Sequence, residues 1–167
     1  MTHARGAKVV VIGVGNEFRR DDGIGPEVLA RLHEHADGVV VQLVLSDGEP
    51  ASVIEAWSGA SLAVVVDAVV ADAPVPGRVH RLVIGTDEVA GGSTVSSHGL
   101  GVGDAIGLAA ALGRLPGRLI IHAVEAADVG RGVGLTPAVS AVVADLTAAV
   151  LRDVRAALQG GGAASAG

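Results

Sequence analysis

The sequence contains no cysteine and almost no aromatic residues, and each absence excludes a class of protein. Without cysteine the chain has no disulfide framework, no thiolate metal site and no cysteine nucleophile. Phe18 and Trp57 are its only aromatic residues, so it lacks a stacking platform for nucleic-acid bases. The formal net charge of -6 also argues against nucleic acid, which a basic face would bind.

Long hydrophobic runs and targeting signals are absent as well. Charges or glycines interrupt every apolar run, and none approaches the ~18 residues that a membrane-spanning helix needs. The apolar run after Lys8 is short and leads into Gly15, Asn16 and charged residues, which is unlike a secretory signal peptide. We therefore expect a cytoplasmic monomer with no membrane and no nucleic-acid partner.

The hydrophobic content is sufficient for one folded domain. Half of the 167 residues are hydrophobic, which allows a sizeable core in a chain too short for two comfortable domains. We predict a flexible arm over residues 1–7, a single α/β domain over 8–158 and a disordered tail over 159–167. The glycine, alanine and serine of that tail bury too little surface to offset their ordering entropy.

Strand and helix patterns alternate along the chain. Runs rich in β-branched residues predict strands buried on both faces, and helical spacing of apolar residues predicts helices. Strands are predicted over 8–14, 39–45, 62–66, 78–84 and 119–124, and helices over 24–35, 50–57, 99–112 and 137–158. This alternation is typical of a three-layer α/β/α fold with a five-stranded, mostly parallel sheet.

One strand is expected to break the parallel rule. The link between Asp67 and Arg78 is short and carries Pro74, Pro76 and Gly77, so it cannot hold a helix. A parallel crossover usually takes a dozen or more residues. The strand predicted over 78–84 should therefore run antiparallel at an edge of the sheet.

Polar residues follow the predicted strands at the edge where open α/β sheets bind ligands. Asp22 follows the first strand, Asp67 ends the third, and His98 precedes the third helix. Two carboxylates and an imidazole suit a borderline divalent ion such as zinc or nickel, with coordination positions left open. Structural alternatives exist for each: a helix cap for Asp22, an acceptor of backbone N–H groups for Asp67, and a cap or surface histidine for His98.

The glycine-rich segment after the first strand fits a dinucleotide site poorly. Gly13 and Gly15 match the first two glycines of G-x-G-x-x-G, but Phe18 occupies the third position. Asp21 and Asp22 would also repel a pyrophosphate. The sequence has no phosphate-loop motif and no G-x-S-x-G elbow, which leaves it without a common nucleotide or serine-hydrolase pattern.

The same segments resemble the hydrogenase maturation endopeptidase family. The opening GVGNEFRRDDGIG is similar to the first motif of that family, VVVDAVV to its second and SSHGLG to its third. Asp47 and Gly48 stand where the family usually has Asp-Gly, and GLTP resembles the turn before its last helix. The similarity covers nearly the whole chain, in order and at suitable spacing.

The resemblance implies a function and a site. The family removes a C-terminal peptide from the nickel-loaded large-subunit precursor of a nickel–iron hydrogenase. Matched motif by motif, its metal ligands and catalytic residues fall on Asp22, Asp67 and His98. The implied ion is nickel presented by the substrate, for which zinc or a similar ion can substitute. A five-stranded sheet with one antiparallel strand is implied as well.

Two mechanisms and a second function remain open at this point. Either the ion activates water or the scissile carbonyl, or it only docks the substrate while Asp21, Asp47 or Glu125 acts as general base. The sequence has no unmistakable nucleophile. The alternative function is therefore a non-catalytic metallochaperone or assembly checkpoint for the same precursor.

Overall fold

The chain folds into five strands and five helices within the residues that the computed structural model describes, which are 7–35, 41–85 and 102–160. A 3-10 helix, Arg20–Gly23, precedes the first helix. In chain order the elements are β1 (Val9–Val14), α1 (Ile24–His35), β2 (Gln42–Ser46), α2 (Pro50–Trp57), β3 (Leu62–Val69), β4 (Val79–Gly85), α3 (Gly103–Leu112), β5 (Arg118–Glu125), α4 (Pro137–Ser140) and α5 (Val143–Gly160).

The five strands form one sheet in the order β2-β1-β3-β5-β4. All neighbouring pairs are parallel except β4 with β5, which is antiparallel at the edge of the sheet. This confirms the predicted fold class, including its antiparallel edge strand. The link between β3 and β4 contains no helix and is too short for a parallel crossover, so β4 runs antiparallel to its neighbour β5.

Helices cover both faces of the sheet, and alternate residues of each strand face opposite helical layers. Val64 and Val66 of β3 pack with α1 and α5, whereas Ala63 and Val65 pack with α2 and α3. Both sets are buried, which explains why the strands are continuous hydrophobic runs. None of the helices described here is long and apolar enough to cross a lipid bilayer.

Several predicted boundaries differ from the structure by one or two residues, and two segments differ in a way that changes the description of the fold. Strand β3 does not end at Asp67 but continues to Val69, because β5 remains paired with it as far as Glu125. The prediction of one continuous helix over 137–158 was wrong, since α4 ends at Ser140 and α5 begins at Val143 and extends to Gly160. Some parts of the predicted segments lie outside the described residues, namely 1–6, 39–40, 99–101 and 161–167.

A cluster of polar side chains, partly buried, holds α5 against the sheet near its β4 edge. His122 of β5 is buried, and its Nε2 lies 2.7 Å from Oδ2 of Asp153 on α5. Arg81 of β4 donates from Nη2 to Oδ1 of the same carboxylate, at 2.6 Å. Loss of hydration lowers the pKa of His122 and outweighs the hydrogen bond and charge of Asp153, which favour the protonated ring. His122 is therefore neutral in the folded protein at neutral pH.

This cluster predicts a loss of stability in mildly acidic solution. Below the ordinary histidine pKa of 6.5 the unfolded chain binds a proton that folded His122 resists, so the free energy of unfolding falls as pH falls. The slope for one such group is at most about 1.4 kcal/mol per pH unit. Urea denaturation at a series of pH values should show this slope in the wild type and a shallower one in His122→Gln, which keeps a donor for Asp153.

A histidine outside the core provides the matched control. His33 is exposed on α1, so His33→Gln should leave the pH dependence unchanged. Equal slopes in the wild type and in His122→Gln would contradict the prediction.

Candidate active site at the carboxyl edge of the sheet

The candidate site lies between β1 and β3. At this point the chain changes from adding strands on one side of β1 to adding them on the other side. Strand β1 has β2 on one side and β3 on the other. The helix that follows β1 packs on one face of the sheet and the helix that precedes β3 packs on the opposite face. This arrangement opens a crevice at the carboxyl ends of β1 and β3, which is the usual ligand site of open α/β sheets.

Asp67 lies inside β3 at the point where its pairing with β1 stops. The last paired residues are Gly13 and Val66, after which β3 pairs only with β5. By strand alternation Asp67 belongs to the same face as Ala63 and Val65, the face covered by α2 and α3. Only 2% of Asp67 is exposed, so this carboxylate is largely removed from water.

Asp22 is held at the end of β1 by a tight turn. The backbone N–H of Asn16 donates to its Oδ2 at 2.9 Å, and its own N–H donates to the carbonyl oxygen of Arg19 at 3.1 Å. The 3-10 helix that carries Asp22 packs against β3, which carries Asp67. The two predicted carboxylates therefore belong to neighbouring elements of one crevice.

Close backbone contact, rather than dinucleotide binding, explains the glycines of this segment. Gly15 has φ of +135°, and a Cβ atom there would lie 1.9 Å from the carbonyl oxygen of Asp22. At Gly25, in the first turn of α1, a Cβ would lie 2.5 Å from the carbonyl oxygen of Val14 and 2.8 Å from that of Val66. The start of α1 therefore packs directly on the backbones of both β1 and β3.

Asp21, the neighbour of Asp22, is fully buried and hydrogen-bonded on all sides. Its carboxylate accepts from the backbone N–H groups of Ala127, Asp128 and Thr136 at 2.8, 3.1 and 2.7 Å. The hydroxyl of Thr136 lies within 2.9 Å of both carboxylate oxygens. Asp21 thereby joins the turn after β1 to the segment between β5 and α4.

These hydrogen bonds also determine the charge of Asp21. Burial alone would raise the pKa of its carboxyl, but the hydrogen bonds from Thr136, Asp128 and Ala127 outweigh burial and lower the pKa. A carboxylate that is already enclosed by four donors has no oxygen available for a water molecule. The arrangement therefore favours a structural role for Asp21 over that of a general base.

Glu125 is similarly engaged, at the end of β5. Its carboxylate accepts from the N–H of Val75 at 3.2 Å and lies 2.9 Å from Nε2 of His80 and 3.5 Å from Nε of Arg78. The hydrogen bond with His80, with further help from Val75 and Arg78, lowers the pKa of Glu125. These contacts hold the edge strand β4 and the link before it against β5.

Asp47 is the most accessible of the three candidate bases. It is exposed directly after β2, and its Oδ1 accepts from the N–H of Glu49 at 3.0 Å. It lines a cavity of about 520 Å³ together with Gly15 and Asn16, the residues of the turn that holds Asp22. Among the described residues, no hydrogen bond occupies its second oxygen.

The third predicted ligand, His98, lies outside the described residues. Helix α3, which begins at Gly103, packs on the sheet face to which Asp67 belongs. Over 7–35, 41–85 and 102–160, no group of three or more histidine, aspartate or glutamate side chains could hold a metal ion. The metal trio thus remains a prediction, of which the structure places the two carboxylates at one crevice.

Thr136 is a residue whose role the sequence did not reveal. Its position before Pro137 predicts a helix cap, and it is indeed the residue before α4, but its side chain makes no capping hydrogen bond. The hydroxyl bonds to Asp21 instead. No local pattern could have indicated this, because the two residues are 115 positions apart in the sequence.

Comparisons with known proteins point to one family. A model of the family described as hydrogenase maturation protease matches residues 26–153. A search of curated proteins finds no match.

Solved structures share the fold. The hydrogenase maturating endopeptidase HybD from E. coli is 22% identical, with a TM-score of 0.72 over 90% of this chain and 93% of that one. An endopeptidase from Escherichia coli studied in solution is 23% identical, with a TM-score of 0.73 over the same shares of the two chains. The [NiFe] hydrogenase maturation protease HybD from Thermococcus kodakarensis is 19% identical, with a TM-score of 0.65 over 88% of this chain and 99% of that one. Because the family model matches most of the sequence, this chain belongs to the hydrogenase maturation protease family.

Proposed function

We propose that this protein is the endopeptidase that removes the C-terminal peptide from a nickel-loaded hydrogenase large-subunit precursor. In this proposal Asp22, Asp67 and His98 recognise the nickel ion, which the substrate carries, and complete its coordination during cleavage. Zinc or a similar divalent ion can take its place. The protein acts as a soluble enzyme in the cytoplasm.

One observation carries the proposal, namely the two carboxylates at the switch point of the sheet. Asp22 is fixed by the turn after β1, and Asp67 lies in the neighbouring strand β3. Carboxylate oxygens are suitable ligands for a divalent ion. Two cavities, of about 520 and 710 Å³, adjoin the turn that carries Asp22.

Among the candidate bases the contacts favour Asp47. Asp21 and Glu125 are each enclosed by several partners, whereas Asp47 retains an accessible oxygen beside the cavity next to Asp22. In the proposed reaction Asp47 accepts a proton from the attacking water. The bound metal ion, when present, supplies polarisation of the scissile carbonyl.

The decisive experiment is incubation of the protein with nickel-loaded and nickel-free precursor, followed by mass spectrometry of the precursor. The wild type should shorten only the loaded form. Asp22→Asn, Asp67→Asn and His98→Ala should each lower kcat/KM at least about a hundredfold, which corresponds to about 3 kcal/mol of transition-state stabilisation. Asp47→Asn should lower kcat while precursor binding persists.

A surface aspartate gives the matched control. Asp145 is exposed in the first turn of α5, so Asp145→Asn should cleave the precursor at the wild-type rate. Cleavage by Asp67→Asn at that rate would refute the assignment of the metal ligands. If the wild type binds the loaded precursor and leaves it intact, the protein is instead the non-catalytic metallochaperone or checkpoint.

A further inference from the structure

A second cavity shares Asn16 and Phe18 with the cavity that Asp47 lines. Its volume is about 710 Å³, and Phe18, Arg19 and residues 129–133 form its walls. Asn16 borders both cavities, and its backbone N–H donates to the carboxylate of Asp22. The second cavity therefore adjoins the turn that carries Asp22, although no residue considered so far for catalysis lines it.

The walls of this cavity combine exposed apolar side chains. Phe18 is the only phenylalanine of the chain, and 62% of its surface is exposed. Val133 is 76% exposed on the opposite segment. Exposed apolar side chains that are grouped at one cavity, unlike singly scattered ones, favour a contact surface for a ligand.

Two guanidinium groups border the same cavity. Arg19 donates from Nε to the carbonyl oxygen of Val129 at 3.2 Å, which fixes its stem, and its terminal nitrogens have no hydrogen-bond partner among the described residues. Arg131 is exposed. Within the described part of the chain neither arginine has a carboxylate partner, whereas the nearby Arg20 pairs with Asp128 at 3.4 Å. In a protein of net charge -6, this cavity therefore has a locally cationic rim.

Backbone hydrogen bonds join the two segments that form the walls of the cavity. Arg20 N–H donates to the carbonyl oxygen of Gly132, and Gly132 N–H donates to that of Phe18, both at 2.9 Å. The buried carboxylate of Asp21 joins the same two segments. A cavity whose walls are joined in this way binds a ligand at a lower ordering cost than a flexible loop does.

We propose that this cavity binds a segment of the substrate polypeptide in which a carboxylate side chain adjoins an apolar one. This inference rests on the proposed function, because it identifies the occupant as part of the cleaved precursor. Phe18 and Val133 cover the apolar side chain. Arg19 and Arg131 bind the carboxylate, for which the guanidinium fork is well suited.

A binding assay tests the chemistry without any cleavage. We would use fluorescence anisotropy with three short fluorescein-labelled peptides in which leucine alternates with glutamate, glutamine or lysine. The wild type should bind the glutamate peptide about tenfold more tightly than the glutamine peptide and the lysine peptide most weakly. Arg131→Glu should abolish this preference, and Phe18→Ser should weaken the binding of the glutamate and glutamine peptides alike.

Arg118 provides a control of equal charge change. It is exposed at the start of β5, at the end of the strand far from the carboxyl ends where the cavity lies, so Arg118→Glu should keep the preference for glutamate. Equal affinity for the glutamate and glutamine peptides, or no binding of either, would overturn the proposal. Equal effects of Arg118→Glu and Arg131→Glu would also overturn the proposal. The preference for glutamate would then depend on the net charge of the protein and not on a charge beside the cavity.

A kinetic assay connects the cavity to the substrate. With a nickel-loaded precursor, Arg131→Glu should raise KM about tenfold, and the loss should appear in KM rather than in kcat. An unchanged KM would overturn the assignment of the occupant. If the wild type does not cleave the precursor, the proposed function fails, and the peptide assay still decides whether the cavity has this binding chemistry.

Discussion

Replacement of Asp21 by alanine is expected to lower the free energy of unfolding by about 4 kcal/mol, because it leaves several buried donors without an acceptor. Three backbone N–H groups and the Thr136 hydroxyl all donate to this one carboxylate. The carboxylate is fully buried, so water cannot replace it without opening the segment. Urea denaturation at pH 7 measures the change directly.

The adjacent aspartate is an unusually close control for this experiment. Asp22 is half-buried and accepts one described hydrogen bond, from Asn16 N–H, so Asp22→Ala should cost only about 1 kcal/mol. The two variants remove the same side chain from neighbouring positions. Similar losses of stability would mean that Asp21 does not hold the two segments together.

The loss of Asp21 should also affect the cavity beside Phe18. Release of Ala127, Asp128 and Thr136 frees the segment that contributes Arg131 and Val133 to its walls. Asp21→Asn should be intermediate in stability, because the amide retains one acceptor oxygen but directs an NH₂ group at the remaining donors.

Substitution of Gly15 by alanine is expected to abolish cleavage and to lower the free energy of unfolding by about 3 kcal/mol or more. The new Cβ would lie 1.9 Å from the carbonyl oxygen of Asp22, so the turn must move. The φ of +135° is also unfavourable for any residue with a side chain. Denaturation and the precursor assay together measure both losses.

Gly59→Ala distinguishes the effect of a positive φ from the effect of contact with Asp22. Gly59 also has a positive φ, +73°, but no atom lies within 4 Å of its Cβ position. Gly59→Ala should therefore cost only about 1 kcal/mol and leave cleavage intact. If Gly15→Ala were no worse than Gly59→Ala, contact with Asp22 would not be the reason for glycine in this turn.

The sheet was predictable because its determinants are local in sequence. Continuous β-branched runs indicated the buried strands, and the short proline-containing link before β4 indicated its antiparallel direction. The end of β3 was less predictable, since it depends on pairing with β5, far away in sequence. Asp67 therefore lies within a strand rather than after one.

The candidate site was only partly predictable, for a related reason. The order of strand ends placed Asp22 and Asp67 at one edge, and the family motifs named His98 as their companion. The sequence did not indicate that Asp21 is fully buried whereas Asp22 is not, because nothing in two adjacent aspartates tells which one is buried. Only the distant donors Ala127, Asp128 and Thr136 distinguish them. The break between α4 and α5 lacked a local signal too, as no glycine or proline marks it.

The register of β1 and β3 has a consequence for how this lineage can diverge. Pairing of Gly13 with Val66 fixes the spacing of the two strand ends, and the segment 129–133 is joined to the turn that carries Asp22 through backbone atoms of Gly132 rather than through the side chains of Arg131 and Val133. Mutations in that segment can accumulate between paralogues while the chemistry is conserved. New partner preferences can thus evolve by substitution in one loop, provided that Asp21 and its donors are retained.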